Sequence, residues 1–387
     1  MRTQRLLTHV GIVAVMMLLM ALVNAPATIA KGMVNPQSLA IDDQHGHLFM
    51  TDSANTVTEY DARTGGALRS FALGGTPLYP ISVAVLPPAR RLYVGSRLSD
   101  VLSPGRLSVV DTITGHVLRA IPTGPNPERM VLDQRTGRVA VLCSGVPGAS
   151  AGTVLIVDTQ RDVLLETVHI RDYLQVAVLD EGAGRLFIGG QHGVYMLDAG
   201  NGRLLRTLPL PAKGASELAV DPQVHRVYMA GGNQVLTLNS RSGTVLGTMT
   251  LGHGTYVSAL AVDSAAGHLL VTSYNQTSMA GTLSIVNATN GTLLHQAGVG
   301  VLPTAVAVLP ALDRAIVINN AFTADPGSRI FGTGELRIVQ ASTGRALVTL
   351  EASAVSVVVS QRTSRAYLTD ANQLLTIVDV RTGKVLA

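Results

Sequence analysis

The chain has 387 residues, 47% hydrophobic and 14% charged, with 29 basic and 25 acidic side chains. That balance excludes an intrinsically disordered or acidic solvating chain. With one cysteine and no tryptophan, the chain has neither an intrachain disulfide framework nor a thiolate zinc site.

The first thirty residues read as a targeting segment. Arg2 and Arg5 make a short basic region, and Val10–Val23 is an uncharged apolar stretch followed by NAPATIA. Fourteen apolar residues suit a signal-peptide core better than a membrane-spanning helix. Cleavage after Ala27 and after Ala30 both fit, and an uncleaved N-terminal anchor is the alternative. Without a cysteine at that junction, a lipid-anchored form is disfavoured.

Removing residues 1–30, which hold two arginines and no acid, leaves 27 basic against 25 acidic groups and a net charge of +2. The cations are nearly all arginine and are scattered, with lysine only at Lys31, Lys213 and Lys384. A nucleic-acid surface needs clustered cations with stacking aromatics, and aromatics are 4% here. Cys143, in the apolar run VAVLC, reads as a buried small hydrophobe. Export without disulfides points to a bacterial-type secreted or periplasmic protein.

From residue 35 onward one phrase recurs eight times. TVTEYDARTGGALRSF (Asp61, Gly65) is followed by RLSVVDTITGHVLRAI (Asp111, Gly115) and TVLIVDTQRDVLLETV (Asp158). VYMLDAGNGRLLRTL (Asp198, Gly202), VLTLNSRSGTVLGTM (Asn239, Gly243) and LSIVNATNGTLLHQA (Asn287, Gly291) come next. LRIVQASTGRALVTL (Gln340, Gly344) and LTIVDVRTGKVLA (Asp379, Gly383) complete the series. Gly65 and Gly383 stand seven steps apart, a mean period of about 45 residues, which suits radial repetition of four-stranded blades. A side chain such as Asp or Asn at the strand end accepts from backbone N–H groups two and three residues on, and Gly supplies the positive φ that closes the hairpin. These eight positions are therefore structural.

Each phrase follows two further strands. The first is a short apolar run, such as LAID at 39–42 or LAVD at 218–221; the second resembles RLYVGS at 91–96 or RAYLTD at 365–370. Four strands per unit in eight units, with no helical periodicity, predict an all-β chain forming a single eight-bladed β-propeller over residues 31–387. A seven-bladed ring is the alternative. Because the last strand is short, Met33–Val34 are candidates to help close the ring.

These phrases resemble the YVTN-type (YncE-like) β-propeller repeats, with Pro36, Pro80, Pro127 and Pro303 at the leading proline of that consensus. The resemblance covers nearly all of residues 35–387 and implies the fold, not the activity. A second resemblance is to pyrroloquinoline-quinone-type repeats, whose turn also reads D-x-x-T-G; a docking tryptophan normally follows it, and its absence counts against that reading.

The connection between second and third strands varies most. It is brief at 191–193 and 231–233 but long at 96–105, 144–152, 273–281 and 319–334. Insertions gathered on one rim mark a binding face. Gly148–Gly152 matches G-x-S-x-G, but a nucleophile elbow needs a strand–turn–helix setting that a small-residue β–β loop does not offer. No histidine pair has zinc-ligand spacing on one element. Aligning the first strands puts Ser38, Ser82, Arg129, Val176, Glu217, Ala259, Ala305 and Ser356 at one position, where only Arg129 and Glu217 carry charge. One carboxylate there is too few for a calcium-dependent propeller enzyme. Arg129, Asp172, Glu217, His253 and Tyr256 are the candidate ligand-binding residues; pairing of Arg129 and Glu217 with neighbouring loops is the plainer alternative.

The expectation is an exported, monomeric binding or scaffold propeller that presents rim loops to a protein, peptide or polymer ligand. It needs no cofactor, metal or catalytic residue. A propeller enzyme with a small cofactor or metal at the channel mouth, and single-stranded DNA binding, are the alternatives.

Overall fold

The computed structural model describes residues 38–387 apart from 53–54, 76–77, 209–213, 320–333, 353, 355 and 371–373. The proposed leader, Met33–Val34 and most of the longest rim loop lie outside the described residues. The described strands form eight four-stranded antiparallel sheets, each built from four consecutive strands. Among the described residues, helix is confined to two short 3-10 turns, Pro87–Ala89 and Pro310–Leu312. Among the described residues no helix is long and apolar enough to cross a membrane.

The first strands of blades 1 to 8 are Leu39–Asp42, Tyr79–Leu86, Pro127–Asp133, Leu174–Asp180, Glu217–Asp221, Thr255–Asp263, Pro303–Leu309 and Ser356–Ser360. Neighbouring first strands pack on one another from blade 8 through blade 1 to blade 7. They therefore surround the central channel, and the fourth strands form the outer wall. This is an eight-bladed propeller.

The core lies between blades rather than within one. Phe49 and Phe71 of blade 1 pack with Leu92 and Val94 of blade 2, and Phe187 and Met196 of blade 4 with Val227 and Met229 of blade 5. Blade 7 contributes Ile316 and Ile318 to the layer holding Leu368 and Val378 of blade 8. Blade 8 in turn sets Tyr367 and Ile377 against Leu48 and Met50 of blade 1. Each fully buried side chain of this kind stabilises the ring by about 1.5–3 kcal/mol over its exposed state.

Turn chemistry follows the recurrent phrase. Asp61 Oδ1 accepts from the backbone N–H of Arg63 at 2.8 Å and of Thr64 at 2.7 Å, and Gly65 takes φ +75°. Asp111 does the same with Ile113 at 2.9 Å and Thr114 at 2.8 Å. Blade 3 departs from the pattern: with no glycine in its turn, Asp162 occupies the left-handed region at φ 57°. Its carboxylate accepts from Arg91 Nε at 3.0 Å and the Tyr93 hydroxyl at 3.3 Å, both from blade 2.

That contact recurs as an interblade latch. In blade 5, Arg226 and the hydroxyl of Tyr228 donate to the Ala288 carbonyl of blade 6, each at 2.9 Å. Arg365 and Tyr367 of blade 8 donate to the Ala62 carbonyl of blade 1 at 3.1 and 2.9 Å. Arg-x-Tyr in a second strand thus bonds to the outer hairpin turn of the next blade. The last outer strand is only Lys384–Val385. Blade 8 draws all four strands from the C-terminal end, so packing and this latch join it to blade 1.

The channel mouth as candidate functional site

The first strands begin, and the second strands end, on the rim that carries the variable loops. Alternation along each first strand sends successive side chains toward opposite neighbouring blades. The aligned position faces the next blade in chain order. The Ser82 hydroxyl donates to the Pro127 carbonyl at 2.6 Å, and Arg129 Nε donates to the Gln175 carbonyl at 2.8 Å. Glu217 shares its face with Ala219, which belongs to the core between blades 5 and 6.

Blade 5 is held against blade 6 at this rim. Val257 N–H of blade 6 donates to the Gly232 carbonyl of blade 5 at 2.7 Å, while within blade 5 Ser216 N–H donates to the Ala230 carbonyl at 2.9 Å. The short turn at 231–233 therefore brings Tyr256 beside Ser216 and Glu217, with both of which it interacts. Glu217 keeps some exposed surface, but protein surrounds it on the channel wall. That burial raises its carboxyl to about 7, with the Arg129 charge pulling the other way. Burial likewise raises the Tyr256 phenol, Glu217 adding to the shift and Ser216 opposing it. The rings of Tyr256 and Tyr274 lie 5.6 Å apart at 37°.

A second group adjoins it from blades 2 to 4. Arg97 lies over the ring of Tyr79, 5.4 Å from its centroid. Burial raises the Glu128 carboxyl, opposed by the Ser144 hydroxyl at 2.7 Å and by Arg129 and Arg97. Tyr173 is pushed up to about 12, first by burial and then by Glu128. Charge of both signs is therefore interleaved with phenol rings around the mouth.

Of the five candidates, Arg129, Glu217 and Tyr256 interact at the mouth. Asp172 plays another part. Its buried carboxylate accepts from the backbone N–H groups of His192 and Tyr173, each at 2.8 Å, and from the Tyr195 hydroxyl at 3.0 Å. His192 Nδ1 lies 2.8 Å from it. Burial opposes ionisation, yet those bonds hold it below the usual carboxylate range. The Asp172 carboxylate ties the start of blade 4 to the 191–193 turn. His253 is exposed in the turn before the first strand of blade 6. Ser150 sits in a loop closed by Val146 N–H donating to its carbonyl at 3.2 Å, and a strand follows, so no nucleophile elbow forms. Among the described residues no cluster of three His, Cys, Asp or Glu is placed to hold a metal.

Sequence reasoning passed over Tyr79, Arg97, Glu128, Tyr173 and Tyr274. A signal was available. Tyr79, Tyr173 and Tyr256 each stand three residues before the aligned positions Ser82, Val176 and Ala259, so blades 2, 4 and 6 carry a tyrosine at one repeat position. Tyr79 pairs across strands with Arg97 as Tyr256 pairs with Tyr274.

The fold recurs among solved structures. The chain is similar to the computationally designed Ika8 protein at a TM-score of 0.68 and 15% identity, covering 89% of this chain and 96% of that one. No curated protein sequence matches. A family model described as outer membrane protein assembly factor BamB matches residues 174–386, more than half of the chain and all of blades 4 to 8. The missing docking tryptophan, which counted against repeats of this type, is thus no bar to membership. Arg-x-Tyr latches join several blades here. On this match the chain belongs to the PQQ_2 family of β-propeller repeat proteins.

Proposed function

We propose that this chain, with repeats of YVTN type, is an exported, monomeric binding propeller of the secretory or periplasmic space. It engages a protein or peptide at the channel mouth and its flanking rim loops, without chemistry of its own. One observation carries the reading: tyrosines at the same repeat position in blades 2, 4 and 6 share the mouth with Arg97 and Arg129. Tyrosine and arginine are the residues through which protein interfaces draw most of their binding energy, since they offer large contact area and directed hydrogen bonds. The description of the matching family as an assembly factor agrees with a role in holding another polypeptide.

A photo-crosslinking amino acid placed at Tyr173, or separately at Leu118 on the outer wall, tests this in the exporting cell. Polypeptide adducts at position 173, lost when Arg129→Ala and Tyr256→Ala are added, support it. Adducts confined to position 118 overturn it. Native mass spectrometry with metal analysis of the same preparation tests the enzyme alternative: a stoichiometric metal or small molecule would redirect attention to chemistry at the mouth.

A further inference from the structure

The first strands differ from the strands behind them. Second strands such as Arg226–Gly231 and Arg314–Asn319 are buried beyond their leading arginine. First strands keep part-exposed runs at mid-length: Met130–Leu132 in blade 3, Ala177–Leu179 in blade 4, Thr304–Val308 in blade 7 and Val357–Val359 in blade 8. Blade 7 shows what that exposure is. Its first strand pairs with the second strand along one edge. Val306 and Val308 pack into the layer shared with blade 6, and Ala305 into the layer shared with blade 8. The remaining side is the inner edge, which ends the sheet and faces the channel. Among the described residues, the only charged side chains of the first strands below Glu128, Arg129 and Glu217 are the acids that end them. Those acids, Asp42, Asp133, Asp180, Asp221 and Asp263, are at most 4% exposed, and each accepts from a backbone N–H of its own turn. The hydroxyls of Ser82, Ser258 and Thr304 are bonded within the wall. Below the mouth the channel is therefore walled by aliphatic side chains and by strand edges with no strand beside them.

Side chains take up part of the inner edge. Ser38 Oγ accepts from the Val83 N–H at 3.3 Å, and Ser82 and Arg129 donate to the Pro127 and Gln175 carbonyls. Val176 and Ala259, at the same repeat position in blades 4 and 6, have no polar side-chain atom to do this for blades 5 and 7. At the far end of blade 7, Gln361 Nε2 of blade 8 donates to the Val308 carbonyl at 2.8 Å. Between these two levels, among the described residues, the edge from Thr304 to Ala307 lies open to the channel. We infer that this edge takes an uncharged, apolar segment of a partner polypeptide, added in extended form as a further strand; this deepens the reading of the mouth as the binding face and rests on it. Three features select that occupant. An extended peptide pairs with the N–H and C=O groups of an open edge, which an acyl chain leaves unpaired. Its side chains meet aliphatic neighbours, whereas a sugar or nucleotide meets no free polar side chain on that wall. Charge is confined to the rim at Glu128, Arg129 and Glu217, so charged residues of the partner stay there. A charge carried below the rim loses water and gains no counter-ion.

The probe is the blocked peptide acetyl-Thr-Val-Leu-Val-Thr-amide, titrated into the full chain by calorimetry. A second version carries N-methyl groups on its three central residues, which removes the edge donors and keeps the side chains. A third has lysine in place of the central leucine. The parent peptide is expected to bind, and the N-methylated version about tenfold or more weaker, since several backbone bonds are lost. The lysine version should weaken by about tenfold or more as well. A photoreactive leucine at the centre of the peptide locates the segment, with adducts mapped by mass spectrometry of proteolytic fragments. Labelling is expected on Pro303–Leu309 and the first strands that flank it. Ala307→Asp, verified folded by its thermal melt, should weaken the parent peptide to the same degree. Equal affinity of the N-methylated version, labelling of the outer strands, or no binding of the parent peptide up to its solubility limit overturns the inference. Displacement by decanoate with indifference to N-methylation would reveal an acyl-chain site and overturn it too. Adducts at position 173 in the crosslinking experiment without channel labelling would leave the broader proposal standing; channel labelling without adducts at position 173 would reject the broader proposal alone.

Discussion

The Tyr367 hydroxyl of blade 8 donates to the Ala62 carbonyl of blade 1 at 2.9 Å, joining residues 305 positions apart. Its counterpart, Tyr228 to Ala288, joins two blades adjacent in sequence. The two bonds have the same length and chemistry but different consequences, because only the first helps to close the ring.

Tyr367→Phe removes a buried hydroxyl from a carbonyl that keeps Arg365 at 3.1 Å, so the expected cost is about 1 kcal/mol in denaturant unfolding. Tyr228→Phe should cost a similar amount at equilibrium, since Arg226 remains at 2.9 Å. Hydrogen exchange separates them. Tyr367→Phe should accelerate exchange in the second and third strands of blades 1 and 8, whereas Tyr228→Phe should affect blades 5 and 6. Uniform acceleration around the ring in both variants would contradict a closing role for Tyr367.

Asp162 sets backbone strain against an interblade bond. Replacement by glycine relieves the left-handed φ of 57° but loses the contacts with Arg91 and Tyr93. Relief at such a position is worth about 1 kcal/mol, since Asp visits it more readily than most residues, and loss of a charged acceptor costs about 1.5–3, so Asp162→Gly should be destabilising on balance. Asp162→Asn retains an acceptor and tolerates the same φ, so its melting temperature should fall less. A glycine variant more stable than the parent would show that the latch contributes little in blade 3.

Glu217 should leave a signature in the pH dependence of stability. Its folded carboxyl lies near 7 against an unfolded value of 4.5, so the folded state holds the proton more tightly. Its penalty is absent below about 4.5, grows as pH rises toward 7 and stays constant above. The full shift corresponds to about 3 kcal/mol, and partial solvent access reduces this to about 1–2. Glu217→Gln should therefore be more stable than the parent at pH 8, and equal to it at pH 4. Chemical denaturation at the two pH values measures this directly.

Asp172 behaves in the opposite sense. Its folded carboxyl is held below 3.8, so its contribution is present above that value and is lost as pH falls through the lower folded one. Asp172→Ala removes a buried charged acceptor from the partly exposed donors of His192, Tyr173 and Tyr195 and should cost about 1.5–3 kcal/mol. If Asp172 were instead a ligand contact, Asp172→Ala would weaken binding without lowering the melting temperature.

Repetition makes the architecture legible in the sequence itself. Eight copies of a strand ending in Asp, Asn or Gln, most followed by a glycine turn, specify eight hairpins through local hydrogen bonds and one positive φ. Those effects act within five or six residues, as Asp61 with Thr64 and Gly65 shows. The ring of four-stranded blades follows because each apolar strand needs a neighbouring blade to bury its second face. The mouth was only partly readable. Arg129 and Glu217 stood out as the charged members of one aligned position, but Asp172 was grouped with them although its carboxylate is engaged by His192 and Tyr195. Whether a polar side chain is engaged or available depends on loops from other blades, here the turns at 191–193 and 231–233. Pairing Tyr256 with Tyr274, drawing Arg129 toward Gln175 and enclosing Glu217 all require the ring to close. Closure sums contacts between residues far apart in the chain, which no local pattern encodes.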